Sequence, residues 1–223
     1  IRDRDVTGVQ TCALPICAAL ERLPEPRDGA RSLGTAADLT RPGEGGRVVG
    51  EALDRLGGLD DLFFCVGRSG RARILATDAA ALSGYLADNL LAAVEITAAA
   101  ADDVAAARGH MVYVGSLAGK LVTPWMGPYA VAKSALAAYV DAVRLEMAPR
   151  GAHVLLVSPG PIRRDDDGEG GFDRYAGEVE RAGLPPDAGR PGGGAALRRL
   201  DPDDLARRVL DACRRRSSEL VVP

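Results

Sequence analysis

At 223 residues the chain has room for one domain with a sizeable core, and 47% apolar content with only 4% aromatic residues makes that core one of Ala, Leu and Val. A formal net charge of −3 gives no electrostatic case for nucleic acid. No apolar run approaches the roughly 20 residues of a membrane-spanning helix. Cys12, Cys17, Cys65 and Cys213 lack zinc-type spacing, and with only two histidines no metal site is expected. Free cysteines without a signal-like leader fit a reducing, cytoplasmic setting.

In chain order, residues 1–16 read IRDRDVTGVQTCALPI, with the texture of a translated sequencing adapter; they are expected to lie outside the fold. The spacing of CAALERL, from Cys17, is helical and ends at Pro24, Pro26 and Gly29. Ser32–Ala37 reads as a short strand leading into Asp38 and Leu39; Asp38 also suits an N-cap. Arg47–Leu56 is amphipathic, with Val48, Val49, Ala52, Leu53 and Leu56 on one side and Gly57-Gly58 closing it. Asp61–Val66 is a short apolar run, hence a buried parallel strand, and Gly67 ends it. Arg68–Arg73 reads as a loop with solvated arginines. Leu82–Ala107 predicts a long helix, inside which Asn89 is unfavourable by propensity.

The middle of the chain carries the chemistry. The apolar run His110–Gly115 ends on Ser116, and a loop with Gly119, Pro124, Gly127 and Pro128 follows. From Ala130 to Met147 the apolar positions Ala132, Leu136, Val140, Val143 and Met147 keep helical spacing, so Tyr129 and Lys133 stand at i and i+4 on one face. A second apolar run, Val154–Val157, ends in Ser158-Pro159-Gly160. Strand, helix, strand is a parallel crossover unit, and the polar groups fall where open α/β sheets place their sites. A tyrosine hydroxyl is a poor base at a pKa of about 10, but an ammonium one turn away favours the phenolate. Ser116 supplies a second hydroxyl able to hold a carbonyl oxygen. Residues 161–195 are rich in Gly, Asp, Arg and Pro and read as a lid or a disordered loop, with Asp165, Asp166 and Asp167 in a solvated charge run. Asp201 to Asp204 caps a helix through about Arg215, and Glu219–Pro223 reads as the last strand.

Ser116, the run Tyr129-Ala-Val-Ala-Lys133 and the run Ser158-Pro159-Gly160-Pro161-Ile162 together resemble the short-chain dehydrogenase/reductase family. The resemblance implies an α/β fold, a doubly wound Rossmann-like parallel sheet of order 3-2-1-4-5-6-7, formed by residues 17–223. It implies an oxidoreductase that uses NAD or NADP to interconvert a small alcohol and a carbonyl. Tyr129 would be the acid/base, Lys133 would lower its pKa and hold the nicotinamide ribose, and Ser116 would orient the substrate oxygen. Asn89, 27 residues before Ser116, would bend its helix and hold a water relay to the lysine. Cofactor contacts would come from Asp38, Leu39, Gly67, Tyr129, Lys133, Pro159, Gly160 and Ile162. Helices 85–107 and 129–148 would pair into a homo-oligomer through small residues such as Ala138 and Ala142.

The sequence also departs from that family. Thr7-Gly8 imitates the start of the TGxxxGxG phosphate loop, but Cys12 and Leu14 stand where glycines belong, so the first βαβ unit is expected to be missing or replaced. Phe64-Cys65-Val66-Gly67 replaces NNAG, and Arg163-Arg164 stands where a threonine often binds the nicotinamide amide. The alternative to an active enzyme is therefore an inactive fragment or a non-enzymatic binding or dimerising homologue.

Overall fold

A computed structural model describes residues 8–10, 32–163, 175–194 and 198–223. Its centre is a parallel four-stranded sheet of β3 (Asp61–Phe64), β4 (His110–Val114), β5 (His153–Pro159) and β6 (Glu219–Val222), in that order. The register aligns Asp61 with His110, and His110 with His153. Side chains alternate across each strand, so one face presents Met111, Tyr113, Val154 and Leu156 while the other presents Val112, Leu155 and Val157. Both faces are covered at β4 and β5, which is why these two read as unbroken apolar runs, whereas β3, expected to be buried, leaves Phe63 exposed at the sheet edge.

On the first face lie α1 (Glu44–Leu56), α3 (Ala92–Ala107) and α4 (Gly127–Met147), contributing Val48, Ile96, Val104, Leu136 and Val140 to the core. On the second lies α6 (Pro202–Arg214), with Leu205, Val209, Ala212 and Cys213 turned inward. Asp201 caps α6 by accepting from the Asp203 and Asp204 N–H groups at 3.0 and 3.1 Å. The start of α1 is capped from another helix: Glu95 Oε1 accepts from the Gly43 and Gly45 N–H groups at 2.6 and 3.2 Å. That approach needs glycine, because a Cβ on Gly45 would lie 2.4 Å from the Glu95 carbonyl oxygen.

Several boundaries differ from the sequence reading. The long helix starts earlier, as α2 (Ala79–Leu86), because Asp78 accepts from the Ala81 N–H at 2.7 Å. It then passes through a π-helical turn, Ala87–Leu91, before continuing as α3. β5 is longer than Val154–Val157 at both ends, and α4 begins at Gly127, where Pro128 in the first turn sacrifices no helical N–H bond. Residues 175–194, for which composition gave only a lid or a loop, contain a short helix, α5 (Ala176–Arg181), a 3₁₀ turn at Pro186–Gly189 and a turn at Pro191–Gly194 in which Gly192 and Gly193 take left-handed backbone angles. Near the N-terminus, β1 (Gly8–Gln10) pairs in parallel with β2 (Ser32–Gly34), apart from the four-stranded sheet. The rest of residues 1–16, the expected helix from Cys17 and the Asp165–Asp167 run lie outside the described residues.

Candidate active site

A cleft of about 320 Å³ opens at the C-terminal ends of β3, β4 and β5. Each edge has a local cause. β4 ends at Val114, and Ser116 then caps a 3₁₀ turn, Leu117–Gly119, by accepting from the Ala118 N–H at 3.1 Å. With that acceptor position engaged, the Ser116 hydroxyl hydrogen is available to a carbonyl oxygen in the cleft. Gly119 lets the turn lie against α4, since a Cβ there would meet the Lys133 carbonyl oxygen at 2.9 Å. The first turn of α4 carries Tyr129, and the next carries Lys133.

Lys133 is 5% exposed. Its Nζ donates to the Val114 carbonyl at 3.1 Å and lies 5.9 Å from the centroid of the Tyr129 ring. Burial pushes its pKa down from 10.5 to about 8, an effect that the nearby Cys65 thiol partly opposes. Cys65 itself opens onto the cleft, yet desolvation by the surrounding walls raises its thiol pKa, with Lys133 pulling the other way.

Asn89 explains the π-turn. Its Nδ2 donates to the Arg68 and Tyr85 carbonyls, both at 2.9 Å, so the side chain ties the widened helix to the loop after β3. Its Oδ1 is buried and finds no hydrogen-bond partner among the described residues. Gly67 covers that atom: a Cβ would lie 2.5 Å from Asn89 Oδ1 and 3.2 Å from Lys133 Nζ. Gly67 thus leaves room between an acceptor and an ammonium that face the same spot.

Asn89, Ser116, Tyr129, Lys133, Gly67, Pro159, Gly160 and Ile162 all line this one cleft. Asp38 and Leu39 do not. Leu39 is buried in the core under α1. Asp38 closes a turn, accepting from the Thr40 N–H at 3.1 Å and pairing with Arg41 at 3.2 Å; its carboxyl pKa is lowered first by its bond to the Thr40 hydroxyl.

The arginines after β3, read from sequence as solvated, are largely engaged. Arg71 is 4% exposed and donates to the carbonyls of Ala188 at 2.7 Å and Arg190 at 3.0 Å, with its guanidinium 3.9 Å from the centroid of the Tyr175 ring. Arg73 reaches the Gly183 carbonyl at 3.0 Å and stacks on Trp125, and Arg68 pairs with Asp88 at 2.6 Å. The backbone N–H of Arg71 donates to Glu178 at 2.8 Å. This loop therefore fastens the segment 175–190 over one side of the cleft. Its partners lie more than 100 residues away in sequence, beyond any local signal.

Comparison with known proteins agrees with this architecture. A family model described as short chain dehydrogenase matches residues 7–169. Dehydrogenase/reductase SDR family member 7B of Danio rerio is 28% identical over 176 residues, covering 78% of this chain and 53% of that protein. An NADPH-dependent 3-dehydrocapnine reductase of Ornithobacterium rhinotracheale is 33% identical over 98 residues, 36% of this chain and 35% of that one. The hydroxysteroid 11-beta-dehydrogenase 1-like protein of Bos taurus is 33% identical over 112 residues, 50% and 39% of the two chains. The matched segments thus span about half, or less, of these relatives. Among solved structures, a short-chain dehydrogenase from Streptomyces avermitilis has a TM-score of 0.75 at 19% identity, covering 96% of this chain and 78% of its own. An alcohol dehydrogenase from Thermococcus sibiricus, complexed with 5-hydroxy-NADP, has a TM-score of 0.67 at 18% identity, covering 88% and 76%. The two structural likenesses speak for the fold, and the family match, which covers most of the chain, speaks for descent: this chain belongs to the short-chain dehydrogenase family.

Proposed function

We propose that the cleft interconverts an alcohol and a carbonyl on a small molecule, with NAD or NADP as redox partner and Tyr129 as the acid/base. The observation that carries this reading is the buried Lys133 ammonium, one helical turn behind Tyr129, in the cleft that Ser116 also lines. In the reducing direction the Tyr129 hydroxyl gives its proton to the substrate oxygen, and in the oxidising direction it takes that proton back. The Ser116 hydroxyl holds the same oxygen. The positive charge of Lys133 favours the phenolate of Tyr129 whenever the proton has left. Asn89 Oδ1, an acceptor with no partner among the described residues, suits a water that passes protons between Lys133 and solvent.

The residues present fit the nicotinamide–ribose end of such a cofactor. Lys133 would hold the ribose, and Pro159, Gly160 and Ile162 would line the nicotinamide. When bound, the nicotinamide supplies or accepts the hydride. The phosphate end is where the chain departs from its family, with Cys12 and Leu14 in place of loop glycines. That departure favours the second reading, an inactive or merely binding homologue. We further propose pairing between two copies through α4, where Ala138, Ala142 and Leu145 face solvent.

Turnover of NADH or NADPH against a panel of small aldehydes and ketones tests the first reading. In a chimera whose residues 1–16 are replaced by a complete strand, glycine loop, helix and strand, the parent should consume cofactor, and Tyr129→Phe should lose turnover while retaining cofactor affinity. Equal turnover by the two would remove Tyr129 from the mechanism.

A further inference from the structure

At the opposite ends of the same strands, away from the cleft, three metal-binding side chains meet. His110 opens β4 and His153 opens β5, and the two are register partners. Cys213 lies in the last turn of α6, packed on this side of the sheet. All three are buried, and one ligand atom from each lies within 4.8 Å of the others.

The hydrogen bonds fix the tautomers. His153 Nε2 is 2.8 Å from the Ser217 carbonyl oxygen, which can only accept, so that nitrogen carries the proton. The Nδ1 of a neutral His153 then bears a lone pair, and His110 Nδ1, 2.8 Å away, is the donor to it. His153 already aims a bare nitrogen into the cluster while a backbone carbonyl holds its other N–H. That is the arrangement by which proteins orient a metal-ligating histidine. His110 is anchored as well, its backbone N–H donating to Asp61 Oδ1 at 2.7 Å.

We propose that His110 Nδ1, His153 Nδ1 and Cys213 Sγ form a site for one divalent cation of the zinc class. Two imidazoles and a thiolate are a donor set such an ion takes, with a fourth position left for water. Metal–nitrogen bonds of about 2.0–2.1 Å in tetrahedral geometry place two nitrogens roughly 3.3 Å apart. The histidine pair need only open by about half an ångström, and the sulfur needs to close by up to roughly an ångström. On binding, the Cys213 thiol proton leaves to solvent and the His110 proton moves from Nδ1 to Nε2, so one proton is released per ion. The ion joins β4, β5 and α6 at the sheet end far from the cleft, which makes it a staple of the fold and not a catalyst. Sequence spacing hides the site, because 43 residues separate the histidines and Cys213 comes 60 after the second.

Cobalt titration of the reduced, metal-stripped full chain tests this. One Co²⁺ per chain is expected, with thiolate-to-metal charge-transfer absorption and tetrahedral visible bands that Zn²⁺ displaces. Cys213→Ser and His153→Asn should lose the charge-transfer band completely. A chain with Cys12, Cys17 and Cys65 all replaced by Ser should keep it at full intensity. Because Cys213 is then the sole thiol, that variant decides the matter even where Cys213→Ser fails to fold. Absence of the band in the folded wild type, or its loss from the triple variant, overturns the proposal.

Discussion

Replacing Lys133 with Met removes a buried ammonium, and the consequence for stability is calculable. The folded pKa of about 8 lies below the ordinary value of 10.5. Below pH 8 the lysine is protonated in both folded and unfolded chains, and the folded state bears the full penalty. Between pH 8 and 10.5 the folded chain releases the proton while the unfolded chain keeps it, so this group adds stability as pH rises. At about 1.4 kcal/mol per unit, the whole interval is worth roughly 3 kcal/mol. Lys133→Met has no such proton. It also loses the bond to the Val114 carbonyl, at a pH-independent cost of about 1 kcal/mol. Urea unfolding of both proteins at pH 7 and pH 10 separates the two effects. Wild type should gain about 2–3 kcal/mol on the variant between these pH values, groups remote from Lys133 titrating alike in both. Curves that stay parallel would mean that Lys133 is not held in a desolvated site.

Asn89→Leu keeps the side-chain volume but removes the two bonds to the Arg68 and Tyr85 carbonyls, each worth about 0.5–1.5 kcal/mol net, so urea unfolding should show a loss of about 1–3 kcal/mol. Arg71→Leu frees the segment it fastens; amide exchange across residues 184–190 should quicken, and in a chimera carrying a complete N-terminal unit KM for the carbonyl should rise, while exchange in β4 and β5 stays as in wild type. Ala142→Arg, a charge on the exposed face of α4, should convert a sedimenting dimer to monomer without changing the circular dichroism.

Much of this was legible in the sequence where local periodicity carries the signal. The strands around Val112 and Leu155 are unbroken apolar runs because both faces are covered, and the helical phase of Leu136 and Val140 put Tyr129 and Lys133 on one face. Asn89 stood out because asparagine is a poor helix residue, although only the structure shows that it bridges a π-turn to the loop after β3. What stayed hidden depends on distant partners. Nothing local to Arg71 announces Tyr175 or Ala188, and nothing near His110 announces Cys213. Asp38, expected from the resemblance as a cofactor contact, lies outside the cleft, and its carboxylate closes its own turn with Thr40.

The central claim is that this cleft transfers hydride with Tyr129 as the proton donor. The direct measurement follows deuterium from C4 of labelled NADPH into a ketone. It uses the chain as written and a chimera whose residues 1–16 are replaced by a complete strand, glycine loop, helix and strand. Two or three lost charge-assisted bonds to the pyrophosphate, at about 1.5–3 kcal/mol each, weaken cofactor binding on the order of 10²- to 10⁶-fold. The chain as written should therefore give no labelled alcohol at millimolar cofactor. The chimera should give labelled alcohol, and its Tyr129→Phe variant none. Labelled product from the Tyr129→Phe chimera at the parent's rate would contradict the account.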